Sequence, residues 1–400
     1  MLAHDQMSIE AQAKALSGSL ADLTEHKTPQ EFVRNVSADF CTRSTILVLM
    51  LVVGLVCQSG LQARADENEN AVKIMTQNVD AGTDFGYLIG VSGPAAFAQG
   101  IFFTYLEINA SNIVPRAAQL AGEIALDHPA LVGLQEVTMW RTGPLHLSPT
   151  PPSATFALYD QLKLLLDDLA NQYVSVAVQT LTDAEVPVIT GISPAGQPIG
   201  FDLRFTDLNV VLVRTDLRQQ LALSNIQMHQ FKDQSVLPTP AGNLSILRGW
   251  ISVDMHVQGN LLRFVTTHLE TDADTVTQMK QANELVQALN SEDNPPVVLC
   301  GDFNADADTP NATVATVLKG GFTDAWPKLH PLDPGFTIPL YIEDLSSPPP
   351  FTAVSTPSHR IDLVFVRNLR VTQIDLIGNQ VSPPWPSDHA GVVASVPTDQ

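Results

Sequence analysis

The order of the predicted strands and helices is the feature that most constrains the fold of this 400-residue chain. A strand, "AVKIMTQNV" (71–79), is followed by a helix that Ser111 is expected to cap, and then by a buried strand, "ALVGLQEV" (130–137). Antiparallel hairpins and one strong helix (275–290) come later. Helices interspersed among hairpins indicate two β-sheets packed face to face with helices outside. We therefore predict one α/β (α+β) sandwich domain.

Three further segments give local predictions. The Gly-rich stretch 81–100 is expected to be a long loop. "FALYDQLKLLLDDLANQ" (156–172) has the apolar spacing of a helix. "SHRIDLVFVRN" and "LRVTQIDLIG" (358–378) are expected to pair as a hairpin, with "HAGVVASV" (389–396) as the closing strand.

The first 65 residues are typical of a targeting segment. Arg43 precedes the apolar run 45–57, and Ala63 and Ala65 have the spacing of a signal-peptide cleavage site. The run is short for a membrane span, so we expect export to the periplasm or the extracellular space after cleavage behind Ala65, or anchoring if the segment is not cleaved. Residues 66–400 are then expected to form a single domain.

The chain is acidic, with a formal net charge of -21. Residues 1–65 contain only 6 acidic and 5 basic residues, so the excess lies in the domain that follows. Such a charge, together with 6% aromatic residues, disfavours tight non-specific binding of nucleic acid. Cys300 is the only cysteine after residue 57, which predicts no internal disulfide and a buried, unreactive thiol.

Polar side chains recur at or near the ends of the predicted strands. Singly, each is explained as a turn former, a surface charge or half of an ion pair, for example Asp362 with Arg360. Together they hold carboxylates and amides, which bind hard cations such as Mg²⁺ or Mn²⁺, and histidines, which donate to phosphate oxygens or move protons. This is the set that in-line attack of water on a phosphate ester requires. The residues are Asn78, Glu136, His268, Asp302, Asn304, Asp362, Asp388 and His389.

At these positions the chain resembles the endonuclease/exonuclease/phosphatase superfamily. The matching stretches are "TQNV", "LVGLQEV", "TTHLE", "GDFNAD", "HRIDLVFV" and "SDHAGVVA", in the family's order and spread over residues 76–394. The resemblance implies a four-layer α/β/β/α sandwich of two packed mixed β-sheets flanked by helices. It also implies a Mg²⁺ cofactor, with Mn²⁺ or Ca²⁺ as alternatives, and hydrolysis of a phosphoester.

The resemblance also implies roles for the matching residues. Glu136 is expected to be the principal metal ligand, Asn78 a ligand or water-mediated contact, and Asp388 a contact to a second metal. His268 is expected to donate to the scissile phosphate. Asp302 would orient or deprotonate the attacking water, Asn304 would hold the water or the phosphate, and Asp362 would orient His389. Whether Asp302 or His389 is the general base stays open.

One expected feature is absent from the sequence pattern. Several family members contact phosphate through a tyrosine for which Tyr173 is an unconvincing match, and Arg204 and Arg214 are possible substitutes if they do not pair with Asp207 and Asp216. The substrate-facing wall therefore stays unassigned.

The function expected from these observations is that of an exported, monomeric phosphodiesterase without an obligate protein partner. A nuclease, a sphingomyelinase-like lipid phosphodiesterase and an inositol-phosphate phosphatase are open alternatives within the family, and a non-catalytic phospho-ligand-binding domain is an alternative of another class. Segments 97–106 and 339–351 are candidate apolar surfaces for a lipid substrate, although ordinary packing explains them equally well.

Overall fold

A computed structural model of the protein describes residues 71–147, 151–240, 242–290, 295–343, 352–354, 356–380 and 385–397. These residues all belong to a compact unit, Asn70–Gln400. The targeting segment predicted at residues 1–65 lies outside the described residues. Within the described residues, no helix is both long enough and apolar enough to span a membrane.

The described residues form strands and helices that we number along the chain. The helices are α1 Pro94–Ala110, α2 Ile113–Asp127, α3 Gln161–Asp168, α4 Thr275–Leu289, α5 Ala312–Lys319 and α6 Trp326–Leu329, with a short 3₁₀ turn at Asp272–Asp274. The strands are β1 Ala71–Asn78, β2 Leu131–Gln135, β3 Met139–Pro144, β4 Phe156–Asp160, β5 Tyr173–Ile192, β6 Pro198–Arg214, β7 Ser224–Gln230, β8 Ser235–Thr239, β9 Gly242–Ile246, β10 Gly249–Val257, β11 Asn260–His268, β12 Val297–Asp302, β13 Thr323–Asp324, β14 Tyr341–Glu343, β15 Thr352–Val354, β16 Asp362–Arg367, β17 Gln373–Ile377 and β18 Gly391–Pro397.

The strands form two large mixed sheets. Sheet A has the order β17-β18-β1-β2-β6-β3-β4, with β5 paired to the outer side of β6. Sheet B has the order β13-β16-β12-β11-β10-β7. Within these sheets β1 and β2 are parallel, as are β11 and β12, and the neighbouring pairs are antiparallel. Two small hairpins, β8-β9 and β14-β15, stand apart.

The core lies in three layers of apolar side chains. The central layer joins the two sheets, with Ile74 and Val211 from sheet A packed against Phe264 and Val364 from sheet B. The outer face of sheet A is covered by α2 and α3, and the outer face of sheet B by α4 and α5. This arrangement confirms the predicted four-layer sandwich. Cys300 is fully buried in the central layer, as expected, and its burial raises the pKa of its thiol to about 12.

Two predictions near the first helices were wrong. The stretch 81–100 is not loop throughout, because α1 begins at Pro94, where a proline lacking an N–H is well tolerated in the first helical turn. Ser111 does not begin the next helix. Its N–H bonds to the carbonyl of Glu107 and closes α1, and Asn112 in the left-handed conformation leads into α2.

Two other local predictions also differ from the structure. Residues 156–172 hold a strand before the helix, since Asp160 ends β4 and caps α3 by accepting a hydrogen bond from the Lys163 N–H at 3.0 Å. The segments at 358–378 do not form a hairpin. β16 lies in sheet B and β17 in sheet A, because Val364 and Ile374 enter the central layer from opposite sides.

Candidate active site

Strand direction brings the predicted site residues to one edge of the sandwich, which we call the site edge. Parallel pairing of β1 with β2 places Asn78 and Glu136 there, and parallel pairing of β11 with β12 does the same for His268 and Asp302. The antiparallel strands contribute their beginnings, since Asp362 starts β16 and is registered directly against Asp302. The last two residues, Asp388 and His389, precede β18, which is antiparallel to β1.

Backbone geometry explains why "GDFN" ends a buried strand. Gly301 has φ 145°, and a Cβ there would lie 2.0 Å from the Thr267 carbonyl oxygen, so the neighbouring strand leaves room only for glycine. Asn304 and Glu136 also have positive φ values, 49° and 56°. Such conformations are uncommon for non-glycine residues and collect at functional sites. They turn both side chains away from the regular strand direction.

Asp302 is the centre of the site and is fully buried. Its Oδ2 accepts a hydrogen bond from Asn78 Nδ2 at 3.0 Å, and the same nitrogen lies 3.0 Å from Glu136 Oε1. The Asn304 N–H donates to Asp302 Oδ1 at 2.8 Å, and His268 Nε2 lies 3.5 Å from Asp302 Oδ2. Both oxygens of Asp302 are therefore fixed by the protein.

Asn78 is oriented by the chain that follows it. Its Oδ1 accepts the Asp80 N–H at 3.0 Å, which leaves the amide nitrogen facing the two carboxylates. The predicted ligand role of Asn78 needs its oxygen on that side, so this role stays a prediction. In the structure Asn78 acts as a neutral donor that bridges Glu136 and Asp302.

His389 and Asp362 form a buried pair in which His389 Nδ1 lies 2.8 Å from Asp362 Oδ2. Asp362 does not pair with Arg360, whose guanidinium binds Asp324 at 2.9 and 3.1 Å. Burial would lower the pKa of His389, but the carboxylates of Asp362 and Asp388 outweigh it and hold the pKa well above its usual value. The contact with Asp362 fixes the Nδ1 proton and leaves Nε2 for chemistry.

Carboxylates crowd the site edge without enough cations to balance them. Burial, together with the charge of Asp362, raises the pKa of Asp302 to about 7. Burial raises the pKa of Asp388 to about 7 as well, helped by Asp80 and Glu136. Both groups thus resist ionisation in the absence of an added positive charge.

His268 is buried against Arg248, a residue that was not predicted from the sequence. Arg248 Nη1 lies 2.8 Å from His268 Nε2, and Asn304 Nδ2 lies 3.1 Å from the same nitrogen. Burial and the Arg248 charge lower the pKa of His268 well below its usual value, so the ring is neutral at pH 7. Its Nε2 accepts hydrogen bonds in this arrangement, and the predicted role as a phosphate donor stays untested.

Arg248 and Asp207 extend the site beyond the residues singled out from sequence. Arg248 immediately precedes β10, a position at which a lone arginine carries no distinctive sequence signal. Its Nη2 lies 3.8 Å from Glu270 Oε1, and its Nε is buried without a hydrogen-bond partner among the described residues. Asp207 is fully buried on β6, and burial together with the Glu136 charge raises its pKa to about 7 although Arg248 opposes this.

Other candidates from the sequence do not reach the site. Tyr173 is buried and donates to the Pro129 carbonyl at 2.8 Å. Arg204 pairs with Asp183 and not with Asp207, whereas Arg214 pairs with Asp216 as the alternative reading expected. The segment 97–106 lies within α1, where Phe97 and Ile101 pack into an apolar cluster. Leu340 and Tyr341 of the segment 339–351 are buried, and the rest lies largely outside the described residues.

The donor set at the site edge fits a hard divalent cation. Ligand atoms of Glu136, His268 and Asp302 lie within 4.8 Å of one another, as do those of Asp302, Asp362 and His389. Asp362 Oδ1 is buried and has no hydrogen-bond partner among the described residues. Each group has two carboxylates and one histidine, which are ligands that can hold a divalent cation.

Comparison with known proteins identifies the family. Residues 75–389 match the family model described as "Endonuclease/Exonuclease/phosphatase family". The chain belongs to the endonuclease/exonuclease/phosphatase family. No match was found among curated proteins.

Several solved structures are similar to this chain at low sequence identity. An endonuclease/exonuclease/phosphatase family protein from Leptotrichia buccalis is 16% identical, with 82% of this chain and 99% of that chain covered and a TM-score of 0.48. D. rerio TDP2 complexed with single strand DNA product is 17% identical, with 82% and 98% covered and a TM-score of 0.44. A mannosyl-6-phosphatase from Bacteroides thetaiotaomicron is 16% identical, with 81% and 99% covered and a TM-score of 0.44.

Proposed function

We propose that the protein is a divalent-metal-dependent phosphoesterase that hydrolyses a phosphodiester by in-line attack of water. The observation that carries this proposal is the contact chain at the site edge. Asn78 joins Glu136 to Asp302, and Asp302 stands beside both His268 and the Asp362-His389 pair. Family membership supports the reaction class.

In the proposed mechanism the neutral form of His389 accepts the proton of the attacking water through Nε2, a form that a bound cation would favour by opposing the charges of Asp362 and Asp388 that raise the pKa. Asp362 holds the imidazole in the required tautomer from the Nδ1 side, as an orienting carboxylate does in other Asp-His pairs. Asp302 orients the water. Both of its oxygens already accept hydrogen bonds, from Asn78 and Asn304, which hold the carboxylate in one orientation.

The remaining polar groups stabilise the phosphate. Arg248 carries N–H groups and a buried Nε without a partner in the described chain, so we assign it as the donor to a phosphate oxygen. Asn304 Nδ2 lies 3.1 Å from His268 Nε2, and this contact fixes the two side chains beside the proposed phosphate position. A cation bound by Glu136, with Asp302 or Asp388, would supply positive charge opposite the negative charge that develops on the phosphate oxygens.

The test is turnover of bis(p-nitrophenyl) phosphate by the purified protein with Mg²⁺, with Mn²⁺ and with chelator. We expect turnover that chelator abolishes. In His389→Ala we expect a loss of about 10³-fold or more in kcat that added imidazole partly restores, because the pocket left by the ring admits a free base. Asp254→Asn is the matched control, since Asp254 is a buried carboxylate on β10 that binds Arg263 at 2.6 Å, away from the residues assigned to the reaction.

Two results would contradict the proposal. Binding of inorganic phosphate without turnover of any phosphodiester would favour the non-catalytic alternative. Full activity of a folded His389→Ala variant would remove His389 as the base.

We also propose that the protein is exported, on the basis of the apolar run 45–57 and the Ala63 and Ala65 spacing. Mass spectrometry of the N-terminus after expression with a secretion pathway should find Asp66 as the first residue. Retention of the whole segment in a membrane fraction would instead indicate an anchor.

A further inference from the structure

The buried hydroxyl of Tyr341 joins two loops that carry candidate site residues. It donates a hydrogen bond to Asp80 Oδ2 and accepts one from Arg116 Nη1 at 3.3 Å. Arg116 Nη1 also lies 2.5 Å from Asp80 Oδ2, and the Gly82 N–H donates to Asp80 Oδ1 at 2.6 Å. Asp80, Arg116 and Tyr341 are all buried. Both oxygens of Asp80 therefore accept hydrogen bonds, and Tyr341 supplies one of those to Oδ2.

Asp80 in turn fixes the amide group of Asn78. Asp80 is in the left-handed conformation, with φ 61°, and its N–H donates to Asn78 Oδ1 at 3.0 Å. The carbonyl oxygen of Asp80 accepts hydrogen bonds from Arg116 Nη2 at 3.2 Å and from Gln161 Nε2 at 2.8 Å. A left-handed backbone at a non-glycine residue persists only where its surroundings hold it. The contacts to Asp80 therefore hold the turn that points the Asn78 nitrogen at Asp302.

The chain that leads into Tyr341, segment 337–341, holds the other loop of the site edge. The Leu340 N–H donates to the Asp388 carbonyl at 2.8 Å. The Ala390 N–H donates to the Thr337 carbonyl at the same distance of 2.8 Å. These two backbone bonds lie on either side of the imidazole of the Asp-His pair. One short segment therefore contacts both the loop of the proposed base and, through its tyrosine, the turn after β1.

From these contacts we propose that Tyr341 is a positioning residue of the active site and that its hydroxyl acts through Asp80. Its backbone neighbours hold the loop of His389, and its hydroxyl holds the turn that orients Asn78. One side chain therefore sets these two groups relative to each other. The inference rests on the proposed function and adds to it a residue that keeps the proposed base in register with Asn78, which joins Glu136 to Asp302.

The alternative is that the Tyr341 hydroxyl only stabilises the fold. Its ring packs with Trp385, whose ring centroid lies 6.1 Å away, and phenylalanine would keep that packing. Tyr173 is the matched tyrosine for this comparison, because it is also buried and donates its hydroxyl hydrogen to the Pro129 carbonyl at 2.8 Å, away from the site edge. Loss of either hydroxyl should lower the thermal midpoint by a similar amount, about 1–4 °C.

The test compares Tyr341→Phe with Tyr173→Phe in the full-length protein. In Tyr341→Phe we expect kcat for bis(p-nitrophenyl) phosphate with Mg²⁺ to fall about 10-fold, because the reacting groups lose their alignment. KM should change by less than about twofold, since the groups that contact the substrate remain. Calorimetric titration of the substrate-free protein with Mn²⁺ should show a loss of affinity of about 10-fold. Tyr173→Phe should match the wild type in kcat, KM and Mn²⁺ affinity.

A double variant tests the route through Asp80. If Tyr341 acts through Asp80, adding Tyr341→Phe to Asp80→Asn should lower kcat by less than about twofold beyond the loss in Asp80→Asn alone. Losses that multiply in the double variant would overturn this route. Tyr341→Phe keeps every charge of the cluster, so its comparison with Tyr173→Phe stands even if Asp80→Asn does not fold.

The outcomes separate the two proposals. Wild-type kcat and Mn²⁺ affinity in a folded Tyr341→Phe variant, or equal losses in both tyrosine variants, would overturn the positioning role and leave the phosphodiesterase proposal intact. If the wild type shows no metal-dependent turnover, the phosphodiesterase proposal fails, and the Mn²⁺ titrations alone decide the positioning role. Absence of both turnover and Mn²⁺ binding in the wild type would overturn both proposals.

Discussion

Replacing Asp302 by asparagine should stabilise the metal-free protein while destroying its activity. Asp302 is fully buried, and burial together with Asp362 raises its pKa from 3.8 to about 7. A carboxyl group whose pKa is higher in the folded state does not lower the free energy of unfolding below about pH 3.8, where the group is neutral in both states. The cost grows between pH 3.8 and 7 and is fully present above pH 7.

The size of the effect follows from two opposing contributions. A pKa rise of about three units corresponds to an upper limit of ~4 kcal/mol of destabilisation at pH 8. Asparagine has no such cost, but its amide group would place a donor against Asn78 Nδ2 and lose one hydrogen bond, about 1–2 kcal/mol. We therefore expect Asp302→Asn to raise the free energy of unfolding by roughly 2–3 kcal/mol at pH 8 and by less at pH 5.

Urea unfolding in the presence of chelator, at pH 5 and pH 8, measures this difference. Asp324→Asn is the matched control, because it is the same change at a buried carboxylate that binds Arg360 at 2.9 and 3.1 Å. It should destabilise the protein by ~3–5 kcal/mol. Saturating Mg²⁺ should stabilise the wild type, by about 2.7 kcal/mol at 100 times Kd, and the Asp302 variant much less. A variant less stable than the wild type at pH 8 in chelator would refute the reasoning.

Three further changes give expectations of different kinds. Glu123→Gln should raise the free energy of unfolding by ~1–2 kcal/mol at pH 8 and less at pH 5 in urea titrations, because burial raises the Glu123 pKa to about 7 and its partial exposure screens part of that cost. Gly301→Ala should lower the thermal midpoint sharply, with a loss of about 3 kcal/mol or more, because its Cβ would collide with the Thr267 carbonyl. Arg248→Ala should reduce kcat/KM for bis(p-nitrophenyl) phosphate about 10²-fold in steady-state assays, as expected for one lost donor to the phosphate.

The sequence was most informative where chemistry and strand ends coincide. Strand ends that carry acidic, amide or imidazole groups can be recognised in the sequence because each interrupts an apolar run. Asp302, for example, follows the apolar run that ends at Cys300. Their meeting at one edge follows from the alternation of parallel and antiparallel pairs, which the element order indicated only in outline. The two-sheet architecture could be predicted because each strand shows an apolar face.

What the sequence could not show depends on long-range packing. The place of β17 in sheet A depends on which side of the central layer Ile374 enters, and its local pattern is the same for either sheet. The pairing of Arg204 with Asp183 and not with Asp207 depends on the register of β5 against β6, which contains a bulge between Thr180 and Asp183. Arg248 went unnoticed because a lone arginine before a strand has no distinctive spacing.

The arrangement of the site links cation binding to the stability of the folded protein. Glu136 and Asn304 are held at positive φ, and Asp302 is held beside Asp362, so the site edge stores unfavourable backbone and charge energy. The apolar core between the two sheets lies away from this edge, and its packing offsets the unfavourable energy of the site. A divalent cation relieves the repulsion at the place where a phosphate must be drawn in, so the protein should bind the cation and one phosphate together more readily than either alone.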